Sequence, residues 1–328
     1  MRRSSTAARS LSATSWCSVA ELRLVVAERE ALTSAVTRLV LRSADGAPLP
    51  GYSAGAHLTL TTPSGDRRSY SLVEPGSAQP PQYTIAVRRE PEGRGGSRSL
   101  HDDVRVGDVL ASAPPANTFA LQPAARYLLI AGGIGITPIR AMAAELRERG
   151  SAVQVVYLSR TPEDTAWLDE FSADGSLVHH SSVHGRLDLW PLVAEPDEDA
   201  RVYCCGPSAL IDDVLALTVH WRPSRIHVED FAGVDALGGR ASPFTAVWEP
   251  TGAAVEVPAD RSLLTALRSW GIDVDSSCES GTCGTCRLRL VRGTAEHRDL
   301  VLTPEEQRDW IMPCVSRAAD DELVVGPE

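Results

Sequence analysis

Residues 278–286 read CESGTCGTC: Cys278, then Cys283 after four residues, then Cys286 after two more, with a distal Cys314 further along the chain. Three thiolates at C-x4-C-x2-C, followed by one remote cysteine, is the spacing of a plant-type [2Fe–2S] site. To wrap one face of a compact cluster, the chain must turn tightly. Gly281 and Gly284 allow backbone conformations that a side chain would block, and they leave N–H groups free to point at sulfur. Structural zinc sites instead use two close pairs of ligands, whereas this chain has one C-x2-C pair, a cysteine ahead of it and a lone distal partner. Cys278, Cys283, Cys286 and Cys314 are therefore the expected metal ligands.

Working outward, FTAVWEP and AAVEVPA precede a helical stretch from about Ser262 to Trp270, so residues 244–328 form one expected unit, the iron–sulfur domain. Ahead of it, AGVDALGGRASP at 232–243 is rich in Gly, Ala and Ser, as expected of a linker. Residues 123–231 alternate buried-type strands (RYLLIAG, VQVVYL, RVYCC, RIHVEDF) with helical stretches, which predicts a parallel α/β sheet. The first strand runs into Gly133-Ile134-Gly135-Ile136-Thr137-Pro138, where glycines let a phosphate approach a helix start. The third glycine of the dinucleotide fingerprint is absent, and Pro138 stands there, a residue suited to a first helical turn. Cys205-Gly206-Pro207 forms a second strand–helix junction, and two such junctions make a cleft at the strand C-termini. Buried core is the plainer reading for Cys204, and it competes evenly with a site role for Cys205.

Residues 21–122 alternate apolar and polar positions at period two in LRLVVAERE, AVTRLVLRS, HLTLTT and YTIAVRRE, which predicts an antiparallel barrel or sandwich. Within it lie Arg68-Ser69-Tyr70-Ser71 on a strand and Gly93-Arg94-Gly95-Gly96-Ser97 after another. The glycine-rich run suits a phosphate, although a flexible hairpin is the simpler reading.

With 328 residues the chain exceeds one typical core, and 43% hydrophobic with 23% charged residues is ordinary for a globular protein. A net charge of −11 argues against nucleic-acid binding. No apolar run is long enough for a membrane helix. Every basic side chain except histidine is arginine, so a phosphate held by a basic side chain is held by a guanidinium fork. Residues 1–20 hold no uninterrupted apolar stretch and read as a disordered extension rather than a secretory signal. Seven clustered and scattered cysteines without such a signal point to a reducing cytoplasm. The eight histidines, among them His101, His179 and His180, read as surface or structural residues.

Over roughly residues 20–328 these motifs, in this order, resemble the phthalate dioxygenase reductase family, which includes vanillate demethylase reductases. The resemblance implies a flavin-binding β-barrel (21–122), an NAD-binding α/β domain (123–231) and a C-terminal α+β ferredoxin domain of β-grasp type (244–328). It implies FMN as the flavin, because the ferredoxin comes last and GRGGS is similar to the FMN-phosphate loop of that group. Arg68, Tyr70 and Ser71 match the flavin motif, with Tyr70 against the isoalloxazine ring and Ser71 near N5. Gly95, Gly96 and Ser97 match the phosphate loop, and Arg88 stands where a relative has lysine. Gly133, Gly135, Thr137 and Pro138 match the nucleotide loop. Cys205, Gly206 and Pro207 match the segment near the nicotinamide, and Phe231 is similar to the aromatic that covers the flavin. After the strand ending Ser159-Arg160, Thr161 stands where a relative has an acidic residue that binds a ribose hydroxyl and rejects a 2′-phosphate, which with Arg160 leaves NADPH less firmly excluded; NADH remains the expected reductant. The implied route runs from NADH to FMN to [2Fe–2S] to the terminal oxygenase of a Rieske-type system acting on an aromatic or related molecule, with the reductase a monomer. The alternatives are a reductase for another acceptor, such as a diiron monooxygenase, and a non-catalytic iron–sulfur carrier.

Overall fold

The computed structural model describes residues 21–93, 95–231, 241–276, 279, 281 and 284–328. The N-terminal extension, most of the 232–243 stretch, Arg94, Cys278 and Cys283 lie outside the described residues.

The first sheet contains β1 (Leu22–Ala31), β2 (Val36–Ser43), β3 (His57–Thr61), β4 (Arg67–Ser71), β5 (Tyr83–Arg88) and β6 (Val109–Ser112). All neighbours are antiparallel, in the order β4-β3-β6-β1-β2-β5. The period-two pattern puts Leu24, Val26, Leu39, Leu41, Leu58, Leu60, Ile85 and Val87 on one shared core face. A bridge between Leu72 and Ile85, just past β4, brings the two edge strands together and closes the barrel. The glycine-rich run does not stay a loop. Gly95 takes φ +103° and caps a short helix, α1 (Gly96–Asp102).

The second sheet is wholly parallel, in the order β11-β10-β7-β8-β9. Its members are β7 (Arg126–Gly132), β8 (Ala152–Ser159), β9 (Leu177–His180), β10 (Ala200–Gly206) and β11 (Ile226–Asp230). Leu129 and Ala131 of β7 pack into one hydrophobic cluster and Leu128 and Ile130 into another. Both faces are covered, which is why the strand is apolar throughout. The intervening helices are α2 (Ile136–Glu148), α3 (Leu168–Ala173), α4 (Ser181–His184), α5 (Trp190–Val193) and α6 (Ser208–Leu217). Pro138 lies in the first turn of α2, where its missing N–H costs no helical bond. Neither β9 nor the three short helices stand out in the sequence. LVHH is only partly buried at the sheet edge, so it lacks the apolar run of its neighbours.

The barrel docks on α2 through a buried carboxylate. Glu145 accepts bonds from the backbone N–H groups of Ala54 (3.2 Å) and Gly76 (3.0 Å) and pairs with Arg149 one turn on. Arg140 donates to the Val73 carbonyl at 2.8 Å and to Glu74 at 3.1 Å. Val36, Val73 and Ala86 of the barrel share a cluster with Ala166, Ile134 and Trp167 of the α/β unit.

The third sheet mixes parallel and antiparallel neighbours in the order β13-β12-β18-β14-β16. It consists of β12 (Phe244–Trp248), β13 (Ala253–Val257), β14 (Leu288–Arg292), β16 (Trp310–Ile311) and β18 (Glu322–Gly326), while β15 (Ala295–Glu296) pairs with β17 (Arg317–Ala318) beside it. Helix α7 (Leu263–Ser269) is capped by Ser262, whose hydroxyl accepts from the Thr265 N–H at 3.2 Å. It buries Leu263, Leu264 and Leu267 against the sheet, each worth about 1.5–3 kcal/mol relative to exposure. No helix among the described residues is long and apolar enough to cross a membrane.

Candidate functional site

Two motifs far apart in sequence meet at the barrel edge. Arg68 and Tyr70 sit on β4 opposite Leu60 and Leu58. A Cβ on Gly96 would lie 2.8 Å from Arg68 Cγ and 3.2 Å from its Nε, so the glycine-rich turn rests directly on the Arg68 side chain. A side chain here would push the Arg68 side chain aside, and Gly95 before it needs glycine for its left-handed backbone. The Ser97 hydroxyl accepts from the Glu90 N–H at 3.1 Å, which ties the turn to the end of β5. Tyr70 packs against the barrel core, and burial pushes its phenol well above the ordinary value, so it stays neutral. Ser71 is buried.

From the opposite barrel edge, Arg88 reaches the α/β unit. Its Nη1 would be 4.0 Å from a Cβ on Gly133, while its Nε pairs with Glu90 at 3.2 Å. Gly133 is left-handed at φ +53° and opens the turn between β7 and α2. Gly135 presses on the neighbouring strand end: a Cβ there would lie 2.1 Å from the Cys205 carbonyl oxygen and 2.8 Å from the Gly206 N. Gly132 and Gly206 likewise touch through their backbones, with a Cβ on Gly206 only 3.0 Å from Gly132 Cα. The Thr137 hydroxyl donates to the Ile134 carbonyl at 2.9 Å and is not turned outward. These contacts seat the turn after β7 beside the C-terminal end of β10, at the switch point of the sheet where open α/β folds take ligands.

Cys204 and Cys205 point to opposite faces of β10 and are both fully buried, in separate clusters. Burial pushes the Cys204 thiol up to about 12. Burial, reinforced by Glu229, Cys204 and Asp230, pushes Cys205 well above its ordinary value. What Cys205 presents to the turn is its backbone, since the side chain faces the core. Phe231 follows β11, whose Asp230 pairs with Gly206, so it emerges at the same end of the sheet and is 42% exposed. Arg160 is exposed just past β8. The histidines hold structure: His101 lies 2.8 Å from the Val87 carbonyl, His179 2.8 Å from that of Gly185, and His180 3.1 Å from Thr165 Oγ1.

At the cysteine loop, Cys286 and Cys314 are buried in the same hydrophobic cluster. Glu279, Gly281 and Gly284 each have a left-handed backbone. A Cβ on Gly281 would strike Val315 Cγ2 at 2.7 Å, and the Gly281 carbonyl accepts from the Leu300 N–H at 3.0 Å. The loop is thus held against the segment that carries Cys314. Sequence reasoning missed its brace. Arg268, at the end of α7, donates to Glu279 Oε1 (2.7 Å), the Val274 carbonyl (2.7 Å) and Ser276 Oγ (2.6 Å). Sequence reasoning also missed Arg317, which is 1% exposed and donates to the carbonyls of Arg261, Ser242 and Pro258.

Known proteins place this arrangement. The family model for a 2Fe-2S iron-sulfur cluster binding domain matches residues 246–319. Phthalate dioxygenase reductase of Burkholderia cepacia is 42% identical over 314 residues, covering 93% of this chain and 97% of its own length. The chain belongs to the phthalate dioxygenase reductase family. The reductase subunit of phthalate 4,5-dioxygenase from Pseudomonas putida is also 42% identical, over 92% of this chain and 95% of its own. A solved phthalate dioxygenase reductase, described as a modular structure for electron transfer from pyridine nucleotides to [2Fe-2S], superposes with a TM-score of 0.79 at 41% identity, covering 93% of this chain and 98% of that one. Like these relatives, the present reductase is a multi-domain oxidoreductase with a flavin barrel, a nucleotide-binding α/β domain and a 2Fe–2S domain.

Proposed function

We propose that this family member is the NADH-dependent reductase component of a Rieske-type oxygenase system, with FMN as its flavin and a separate terminal oxygenase as its electron acceptor. The observation that carries the reading is the convergence of the Arg68 strand, the Gly95–Ser97 turn and the Arg88–Gly133 approach, which sets a phosphate-friendly barrel edge against the nucleotide turn. Relatives over nearly the whole chain are named as reductases of phthalate dioxygenases, which supports an oxygenase partner and an aromatic substrate for the system.

In this reading FMN and the cluster, when bound, convert a two-electron hydride donor into single-electron transfers. The chain supplies position and charge. Arg68 and Arg88 offer guanidinium forks, and Gly95, Gly96 and Ser97 leave a backbone approach that side chains would fill. Tyr70 would offer a neutral aromatic face to the flavin ring, and Ser71 a buried hydroxyl to hydrogen-bond it. Gly133, Gly135, Thr137 and Pro138 form the pyrophosphate turn, with Arg160 towards the adenosine. Cys205, Gly206 and Pro207 line the nicotinamide end through their backbone, and Phe231 covers it. The neutral, buried thiol of Cys205 moves no proton. Cys278, Cys283, Cys286 and Cys314 would hold the cluster as thiolates. The proposed setting is the cytoplasm, and the proposed state a monomer.

The test is an anaerobic visible spectrum of the purified protein before and after NADH, then after adding a candidate oxygenase. Absorbance at about 450 nm with a broad iron–sulfur envelope, bleached within the mixing time and restored by oxygenase with its substrate, is the expected result. A protein with no flavin band after reconstitution with FMN would overturn the reading.

A further inference from the structure

We propose that the adenosine end of this nucleotide site accepts a 2′-phosphate, so that NADPH serves as reductant alongside NADH; this rests on the pyridine-nucleotide reading above. In open α/β nucleotide folds, a carboxylate near the end of the second strand binds the ribose 2′-hydroxyl and repels a 2′-phosphate, whereas an arginine there accommodates it. The second strand of this unit is β8. It lies beside β7, with Leu158 paired to Gly132, so its C-terminal end stands next to the Gly133–Gly135 turn. The residues that leave β8 are Ser159, Arg160 and Thr161, and no carboxylate is among them.

Arg160 is exposed and has no ion-pair partner among the described residues. Its backbone is fixed: the carbonyl accepts from the Ser182 N–H at 3.0 Å, and Ser181 Oγ donates to the Ser159 carbonyl at 3.4 Å. Ser181 and Ser182, at the start of α4, therefore hold the backbone at Arg160, and no carboxylate among the described residues pairs with its guanidinium. A guanidinium fork is a donor set that a phosphate monoester takes bidentately.

Two carboxylates, Glu163 and Asp164, follow on the next turn, and Asp164 is held at Thr161. Asp164 Oδ2 accepts from the Thr161 hydroxyl at 3.1 Å, and Thr161 Oγ1 accepts from the Asp164 N–H at 3.3 Å. Glu163 is held to its own backbone N–H. The other charged or titratable groups of this corner are His179, His180, His184 and Arg186, and the last of these pairs with Asp213. Arg160 is accordingly the cation at this corner that is free to meet a phosphate.

The experiment uses the holoenzyme. Anaerobic stopped-flow gives the rate and half-saturation of flavin reduction by NADH and by NADPH, and calorimetry compares binding of 2′,5′-ADP with that of ADP. The expected results are NADPH reduction within about 10-fold of NADH and tighter binding of 2′,5′-ADP, because a charge-assisted hydrogen bond corresponds to about 10- to 100-fold in affinity. Arg160→Ala should shift the NADPH/NADH ratio of kcat/KM towards NADH by at least about 10-fold, and Thr161→Asp should shift it further, by charge repulsion. Reduction by NADH alone, with 2′,5′-ADP no tighter than ADP, overturns this proposal and leaves the reductase reading intact. If neither nucleotide reduces the flavin, the reductase reading falls, and the calorimetry alone decides the 2′-phosphate site.

Discussion

Gly135 carries a strong demand of the nucleotide turn, and Gly135→Ala tests it. The added Cβ would sit 2.1 Å from the Cys205 carbonyl oxygen and 2.4 Å from its carbon, where ordinary contact begins at 3.4 Å. The obstacle is backbone on a central strand, so either the turn or the end of β10 must move by about an ångström. Overpacking of this kind costs about 1–3 kcal/mol. A displacement near 1 Å at a substrate-positioning turn can cost about 100-fold in rate. Gly133→Ala is the matched control. Its nearest neighbour is Arg88 Nη1 at 4.0 Å, so the new methyl makes no more than ordinary contact with the tip of a flexible side chain. The cost there is the left-handed backbone alone, about 1–2 kcal/mol. Anaerobic stopped-flow of flavin bleaching by NADH should rank the variants wild type, Gly133→Ala, Gly135→Ala, with the last slower by about 30- to 100-fold. Dithionite should still reduce flavin and cluster in all three. Equal rates for the two variants, or the reverse order, would refute the reasoning that the β10 backbone seats this turn.

Arg317→Met should destabilise the iron–sulfur domain by about 3 kcal/mol, since three carbonyls lose a charged donor at a site 1% exposed; loss of cluster absorbance on heating should begin at a lower temperature, with the flavin band unaffected. Glu145→Ala should cost about 2–3 kcal/mol by orphaning the Ala54 and Gly76 N–H groups. Limited proteolysis between barrel and α/β unit should then speed up, and unchanged cleavage would show that the carboxylate does not hold the two together. His227 is pushed below its ordinary 6.5 by burial and then by Arg201, whose Nη1 lies 3.1 Å from its Nε2. Its neutral form is the folded one, so the unfolded chain binds more protons as pH drops below the ordinary value. The stabilisation is present above about pH 6.5 and is lost as pH falls through the depressed folded pKa. Melting temperature between pH 8 and 5 should fall more steeply for the wild type than for His227→Gln, and parallel slopes would count against the assignment.

The three-part organisation was legible in the sequence because each part writes its pattern locally. Period two marks strands with one wet face, as in β1 to β5. Unbroken apolar runs mark strands covered on both sides, as in β7 and β10. Ligand spacing marks the cysteine loop, because three thiolates on one short turn can be read without knowing anything distant. The glycines at 133 and 135 were visible for the same reason, although their separate duties were not: one tolerates a left-handed backbone, and the other makes room for a strand that arrives 70 residues later.

Only the tertiary structure decided which distant groups meet. Nothing in YTIAVRRE announces that Arg88 reaches Gly133, and nothing in GRGGS announces that Gly96 rests on Arg68. Glu145 looked like any charged residue on an amphipathic helix until its two N–H partners from the barrel were in place. Cys205 looked like an equal choice between core and site, and the face of β10 it occupies settles its thiol in the core while its carbonyl meets the turn. The physical reason is common to all four. Local propensity and periodicity are properties of neighbouring residues, whereas a buried charge, a glycine contact or a strand face gains its meaning from what the rest of the chain brings against it.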